Sequence, residues 1–282
     1  MLPPSDTNGK EEKMASSKTI FYAKNLADVF YQLKTISELS IVAGCSSFAE
    51  KELPEKTLSV RDIPELKIID KHERYIDFGS AVTLSEIEDL GEANLPATMY
   101  EAITTIATPN VRNIATIGGN ICLKDFYGTI FASLLALDAR LEFQNSEEAV
   151  FKNLTRFDKI PKETLLTRIR LPIEEWEMVI FRRVGPQNML NELSASFVFL
   201  ANSLKNQVSD LRIAFAGSFK FRDIELENKL IGAHLPLSEA TISSFLSDAQ
   251  SSFDKTTNGE KINPILRQQF CNLLKYSLEQ LT

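Results

Sequence analysis

The sequence predicts a mixed α/β (α+β) protein of two lobes followed by a smaller C-terminal unit. Over the first 174 residues, short apolar runs of strand length alternate with stretches of helical spacing. From about Trp176 the pattern changes to two runs of period-two alternation separated by Lys205, Asn206 and Gln207, the signature of an antiparallel hairpin. Three helical patterns then close the chain, enough to cover one face of a small sheet.

A strand at 19–22 opens the first lobe. Asn25 is an N-cap for Leu26, Val29, Phe30, Leu33 and Ile36, whose spacing puts one apolar face on a helix. Strands are expected at 39–43, 67–69 and 75–79. Thr83 with Glu86, or Ser85 with Glu88, makes a capping box that starts the next helix. A helix across 97–106 has to stop before Pro109, because the residue preceding a proline is held out of the helical region. A buried helix over 130–138 runs into a strand at 139–143. The C-terminal unit has a strand at 178–184, the hairpin 196–203 and 208–216, and helices at 223–231, 238–252 and 264–281. Ile242, Phe245 and Leu246 mark the apolar face of the second of these.

Composition narrows the function. With 44% hydrophobic residues in 282, the chain can bury real cores in one large or two to three small domains. Residues 1–17 lack apolar periodicity and read as a disordered tail, in which Met14 is an alternative start. They also lack the apolar centre of a signal peptide, and no run reaches the ~20 apolar residues of a membrane span. The expected location is the cytoplasm. A net charge of −7, from 31 basic and 38 acidic residues, argues against a general nucleic-acid surface. The basic cluster Arg168, Arg170, Arg182 and Arg183 reads in part as a solvated strand face. Cys45, Cys122 and Cys271 are widely spaced, so the chain alone builds neither a zinc site nor an iron–sulfur cluster. His72 and His234 stand in unrelated contexts, and no nucleophile elbow, phosphate-binding Walker loop or Rossmann glycine triplet is present. Redox chemistry on this chain would have to be carried by a bound cofactor.

The run TPNVRNIATIGGNI at 108–121 carries the most chemical information. Gly118 and Gly119 remove the Cβ atoms that would hold a ligand away, and Thr108, Asn113, Thr116 and Asn120 supply small hydrogen-bonding side chains. On these residues alone the run is an anion- or cofactor-binding loop or an ordinary turn. About seventy residues upstream, IVAGCSSF at 41–48 follows an apolar strand with small residues whose amides suit a pyrophosphate, although a plain strand-to-turn junction has the same composition.

TIGGNI at 116–121, preceded by VRNIA at 111–115, resembles the second FAD-binding signature of the flavin subunit in molybdenum hydroxylases, the family of xanthine dehydrogenase and aerobic carbon monoxide dehydrogenase. GSAVTLS at 79–85 resembles that family's strand-to-helix step, and IFASLLALD at 130–138 its buried helix. The resemblance runs through residues 18–282 and is strongest at 108–143. It implies a two-lobed FAD-binding domain of the vanillyl-alcohol-oxidase/PCMH type at 18–174, then a C-terminal flavoprotein domain of a three-stranded antiparallel sheet with helices at 175–282. It also implies FAD contacts at Ile41, Val42, Ala43, Gly44, Cys45, Ser46, Ser47 and Phe48, at Ile106, and at Ala115, Thr116, Ile117, Gly118, Gly119 and Asn120. Thr129, Leu166 and Arg182 complete the implied set.

The implied function is an electron-transfer subunit of a hetero-oligomer. In that family a large subunit carries molybdopterin and a small one carries 2Fe-2S clusters, and the flavin subunit hands electrons to NAD or another acceptor. This sequence departs from the family pattern at several places. Cys45, Ser46 and Ser47 replace a second glycine, a threonine and an acidic or amide residue. Thr129 stands where an aspartate is usual, with Asp125 nearby as a substitute or as a solvated loop acid. Arg182 falls near the place of a flavin-contacting lysine, and Ile265, Leu266 and Arg267 replace a Tyr-Arg pair. Two other readings therefore stay open: a degenerate structural subunit that binds no flavin, and a stand-alone flavoenzyme of the same fold. If the 41–48 loop does hold FAD, Cys45 is expected at φ < 0 with its thiol turned from the phosphates.

Overall fold

The computed structural model describes residues 18–49, 51–157, 160–186, 189–256 and 263–281. The tail expected at 1–17 lies outside the described residues.

The first lobe is a parallel sheet of β1 (Thr19–Tyr22), β2 (Ser40–Val42) and β3 (Lys56–Ser59) in the order β1-β3-β2, with helix α1 (Leu26–Thr35) between the first two strands. The Asn25 side chain accepts the Asp28 amide at 2.9 Å, which caps α1 as its sequence predicts. Val29 and Phe30 then pack on Leu58, Val60 and Ile63.

The second lobe joins β4 (Ile69–Lys71), β5 (Tyr75–Gly79), α2 (Leu84–Glu88), α3 (Ala97–Thr104), α4 (Pro109–Arg112), α5 (Ile117–Ile121), α6 (Phe131–Ala136), β6 (Arg140–Gln144), β7 (Ala149–Asn153) and β8 (Leu165–Pro172). Its strands form an antiparallel sheet in the order β4-β5-β8-β6-β7. Of the two boxes the sequence allows, Thr83 with Glu86 caps α2 reciprocally. The strand expected at 67–69 is displaced: Pro64–Lys67 is a single tight helical turn led by proline, and the strand starts at Ile69. Arg170 is not on a solvated face. It forms a two-pronged pair with the buried Asp77 at 2.8 Å and lies between the rings of Tyr75 and Phe151.

In the C-terminal unit, β9 (Met178–Val184), β10 (Ala195–Leu204), β11 (Gln207–Ala216) and the two-residue β12 (Lys220–Phe221) make an antiparallel sheet, followed by α7 (Ile224–Asn228), α8 (Glu239–Thr256) and α9 (Pro264–Glu279). The three long strands are those expected, with β12 as a short addition. The hairpin turn is tighter than the three residues read from sequence: Lys205 and Asn206 alone make it, both at positive φ, and Gln207 already belongs to β11.

Strand β10 reads as an unbroken apolar run because both of its faces are covered. Phe197 and Phe199, with Ile213 and Phe215 of β11, point into an aromatic cluster with Phe253 of α8 and Phe270 of α9. Val198, Leu200, Ala214 and Ala216 alternate to the other face and join the core of the second lobe with Phe131 and Leu134. Polar groups cross the same boundary. Arg222 donates to the Leu135 carbonyl at 2.6 Å and Arg212 to the Ala136 carbonyl at 3.1 Å, closing the C-terminal end of α6 from the neighbouring sheet. The Ser196 hydroxyl donates to the Thr129 carbonyl at 2.8 Å, and the Tyr127 amide to the Gly217 carbonyl at 2.7 Å.

Candidate cofactor site

The two motifs separated by seventy residues in sequence meet in the fold. Strand β2 ends at Val42 and delivers the chain to Gly44, which lies against the backbone at Ile114. A Cβ built on Gly44 would stand 1.5 Å from the Ile114 carbonyl oxygen, so only glycine permits this approach.

Cys45 follows in the left-handed region, at φ 57° and ψ 9°. This overturns the expectation of φ < 0 there: the chain keeps the conformation that suits glycine even though its residue is cysteine. Its side chain is exposed and its sulfur lies 3.9 Å from the Ala43 carbonyl. The left-handed residue leads directly into a right-handed turn over Ser46–Phe48, a sequence of conformations that points successive amides into one concavity. Among the described residues, the amides of Gly44, Cys45, Ser46 and Ser47 make no hydrogen bond, nor do the hydroxyls of Ser46 and Ser47. On this partly exposed loop, four consecutive donors without an acceptor in the protein are the arrangement that an anion cradle requires. Ile41 and Val42 anchor it through their pairing with β3, and the Phe48 amide donates to the Cys45 carbonyl at 3.0 Å and closes the turn.

The second motif is built differently from the loop that its composition suggests. Thr116 is the N-cap of the short helix α5, and its hydroxyl oxygen accepts the Gly119 amide at 3.1 Å. The Ile117 amide goes to the Val82 carbonyl, that of Gly118 to the Ser80 carbonyl, and that of Asn120 to Thr116, all at 2.9 Å. The glycine pair thus supplies shape and no free amides. Gly118 is buried, and a Cβ there would come within 2.6 Å of the Ser80 carbonyl oxygen. Gly119 is exposed, and a Cβ on it would meet only the Thr116 hydroxyl, at 3.0 Å, so it leaves a bare surface on α5. The Asn120 side-chain oxygen is buried and has no partner. Ala115 and Ile117 are core residues under this surface.

Sequence reasoning missed what holds the second motif in place. Arg112 is buried, grips Glu88 of α2 at 2.7 and 3.2 Å, and donates to the Ile106 carbonyl at 2.9 Å. It thereby clamps both ends of the segment between α3 and α5, where Ala107 sits at φ 45°. The arginine was visible in the motif, but its acidic partner lies 24 residues away on another helix. Lys51 and Asp125, both exposed, pair at 2.9 Å and bridge the chain after the first loop to that after α5. Asp125 is thus the solvated loop acid that the sequence suggests, paired at the surface with a lysine.

The remaining expected contacts come from other elements. Thr129 is buried at the boundary with β10, held through its carbonyl by Ser196. Leu166 is a core residue of β8 opposite Phe143. Arg182 is exposed on β9 and donates to its neighbour's carbonyl at Phe181. Burial pushes the Glu101 carboxyl of α3 above the usual carboxylate range, and the Arg182 charge opposes that shift. Among the described residues no group of three or more histidine, cysteine or acidic side chains forms a metal centre, and no helix is long and apolar enough to cross a membrane.

Residues 14–174, more than half of the chain, match the family described as the FAD binding domain in molybdopterin dehydrogenase. The chain belongs to that family. Its members and relatives are oxidoreductases. Indole-3-acetaldehyde oxidase of Zea mays is 32% identical over 196 residues, covering 64% of this chain and 14% of that protein. The glyceraldehyde dehydrogenase medium chain of Sulfolobus acidocaldarius is 26% identical over 193 residues, covering 64% of this chain and 68% of the other. This FAD-binding family member spans about a seventh of the plant oxidases it matches. Its fold is that of quinoline 2-oxidoreductase from Pseudomonas putida 86, with a TM-score of 0.75 at 18% identity over 94% of this chain and 95% of that one. Carbon monoxide dehydrogenase from Hydrogenophaga pseudoflava aligns with a TM-score of 0.77 at 17% identity over 100% and 97% of the two chains.

Proposed function

We propose that this chain is the FAD-binding electron-transfer subunit of a molybdenum hydroxylase assembly. The observation that carries the reading is the run of unpaired amides from Gly44 to Ser47, wrapped around a left-handed Cys45 and packed against the glycine-bearing second motif. Two features support the cofactor: the unpaired amides at residues 44–47, suited to a pyrophosphate, and the bare surface at Gly119. In this reading Ile41, Val42, Ala43, Gly44, Cys45, Ser46, Ser47 and Phe48 form one wall of the nucleotide site. Ala115, Thr116, Ile117, Gly118, Gly119 and Asn120 form the other, and Ile106, Thr129, Leu166 and Arg182 border it. The domain limits are 18–174 for FAD binding and 175–282 for the C-terminal part.

FAD, when bound, supplies two-electron redox chemistry. The chain's own work is to fix the nucleotide, exclude water from its face and hold the second motif rigid through Arg112. The reading assigns molybdopterin to a large subunit and the iron–sulfur clusters to a small subunit as partners, with NAD or another acceptor receiving the electrons, and three widely spaced cysteines with no metal-binding cluster among the described residues accord with it. A cytoplasmic location, with three unpaired cysteines, accords with it. A second reading, a structural subunit without flavin, is favoured by the amides of residues 117–120, which are all satisfied inside the protein.

Purification with its partners tests both readings. One FAD per chain by absorbance, together with molybdenum and iron in the assembly, is expected. Protein that is colourless and takes up no added FAD would leave the structural reading. Anaerobic addition of NADH, followed at the flavin band, tests the choice of acceptor.

A further inference from the structure

A cleft of about 610 Å³ opens at the N-terminal end of α3, the end away from the nucleotide loops. It shares no residue with them, and its size is that of a small-molecule site. Its apolar side is made by Leu95, Leu137, Val179 and Leu200, with Trp176 of the segment entering β9, and its polar side includes Lys71, His72 and the exposed carboxylates Glu174 and Glu175. Arg212, held by Glu174 at 2.8 Å, lies over the indole at 4.7 Å and fixes its plane.

Several donors at this cleft lack acceptors. Pro96 caps α3 with no side-chain hydrogen bond, which leaves the amides of Ala97 and Thr98 unbonded among the described residues. Thr98 lines the cleft at 1% exposure, and its hydroxyl has no partner. The Trp176 indole N–H is likewise buried without one. The Thr98 hydroxyl and the Trp176 indole N–H are buried side-chain donors left unpaired, which is costly, and these two together with the two amides at the helix end call for one kind of atom, an oxygen acceptor. We propose that this cleft binds a small molecule with an apolar, ring-sized body and one carbonyl or carboxylate oxygen directed at the first turn of α3.

Trp176 is the only tryptophan in the chain, so its fluorescence reports on this cleft alone. The test titrates the purified full chain with benzoate and benzamide, and with toluene and benzylamine, which keep the ring and lack the acceptor. A saturable change with benzoate or benzamide is expected, at least tenfold weaker in Thr98→Val, with the flavin spectrum unmoved. Ala93→Phe, at the exposed rim, must weaken it too and serves if Thr98→Val does not fold. The proposal is overturned if neither acceptor compound saturates, if toluene or benzylamine binds equally well, or if both variants titrate like the parent. A colourless chain that still titrates would separate this outcome from failure of the flavin reading.

Discussion

Gly44 and Ile114 touch through their backbones, the first just past β2 and the second between α4 and α5, and this contact joins the two halves of the proposed nucleotide site. Gly44→Ala places a methyl carbon 1.5 Å from a backbone carbonyl oxygen, a clash that only backbone movement relieves. The loops must separate, at a cost of order 3 kcal/mol. The expected result is loss of bound FAD together with a lower melting temperature, read from the flavin-to-protein ratio and thermal unfolding. Full flavin content in Gly44→Ala would remove this contact from the site.

Cys45 pays for its left-handed backbone, at about 1 kcal/mol for a residue with a Cβ. Cys45→Gly relieves that strain without touching the free amides, although glycine returns part of the gain as unfolded-state entropy. FAD binding is expected to stay equal or tighten modestly, and stability to hold or rise. Cys45→Val, with a branched side chain forced to the same φ, should lose both. Destruction of flavin binding in Cys45→Gly would show that the segment is not the pyrophosphate loop.

Arg112→Met keeps the length of the side chain and removes its grip on Glu88 and on the Ile106 carbonyl. Glu88 retains some solvent contact, so the expected loss of stability is about 2 kcal/mol rather than that of a wholly buried pair. The sharper expectation concerns position: FAD should dissociate faster while α2 and the sheet stay folded. Unchanged flavin release at reduced stability would confine Arg112 to a structural role.

Cys122, which follows α5 directly, has its thiol pushed up to about 12 by burial around the sulfur. Its folded pKa is raised, so the thiol's contribution to stability is complete below the unfolded value near 9 and falls away as pH climbs from 9 toward 12. Unfolding midpoints measured across pH 8–11 should fall less steeply in Cys122→Ala than in the parent. At pH 8 an alkylating reagent should label the exposed Cys45 and spare Cys122 until the protein unfolds. Equal labelling of the two would contradict this account.

Local rules made much of the fold legible. Asn25, Thr83 with Glu86, and the alternation on either side of Lys205 and Asn206 each specify an element by contacts within a few residues, and each stands where expected. β1, β5 and β9 likewise have the limits that their apolar runs suggest. The strands β7 and β8, and the short helices α4 and α5, were not anticipated. Their stability comes from partners far away in sequence, such as Ser80 and Val82 for α5. The site was legible as two glycine-bearing segments. Which of them offers amides was not: the glycine pair spends its own on capping and on the backbone at residues 80 and 82, whereas Cys45, without a second glycine beside Gly44, keeps the open cradle. Hydrogen-bond occupancy depends on tertiary neighbours, and composition does not report it.

The sharing of one core between α6 and the sheet β9–β11 bears on how this protein can be divided. The match to the FAD-binding domain family ends at residue 174, but the packing continues past it. A fragment stopped there would expose the faces of Phe131 and Leu134 and strip the carbonyls of Thr129, Leu135 and Ala136 of their donors. Such a piece would retain every residue of the nucleotide loops and lack the wall against which the 127–137 segment is set. As a unit of inheritance or of engineering, the flavin-binding part is thus no detachable cassette, and a graft or fusion that carries it must take along the hairpin behind it.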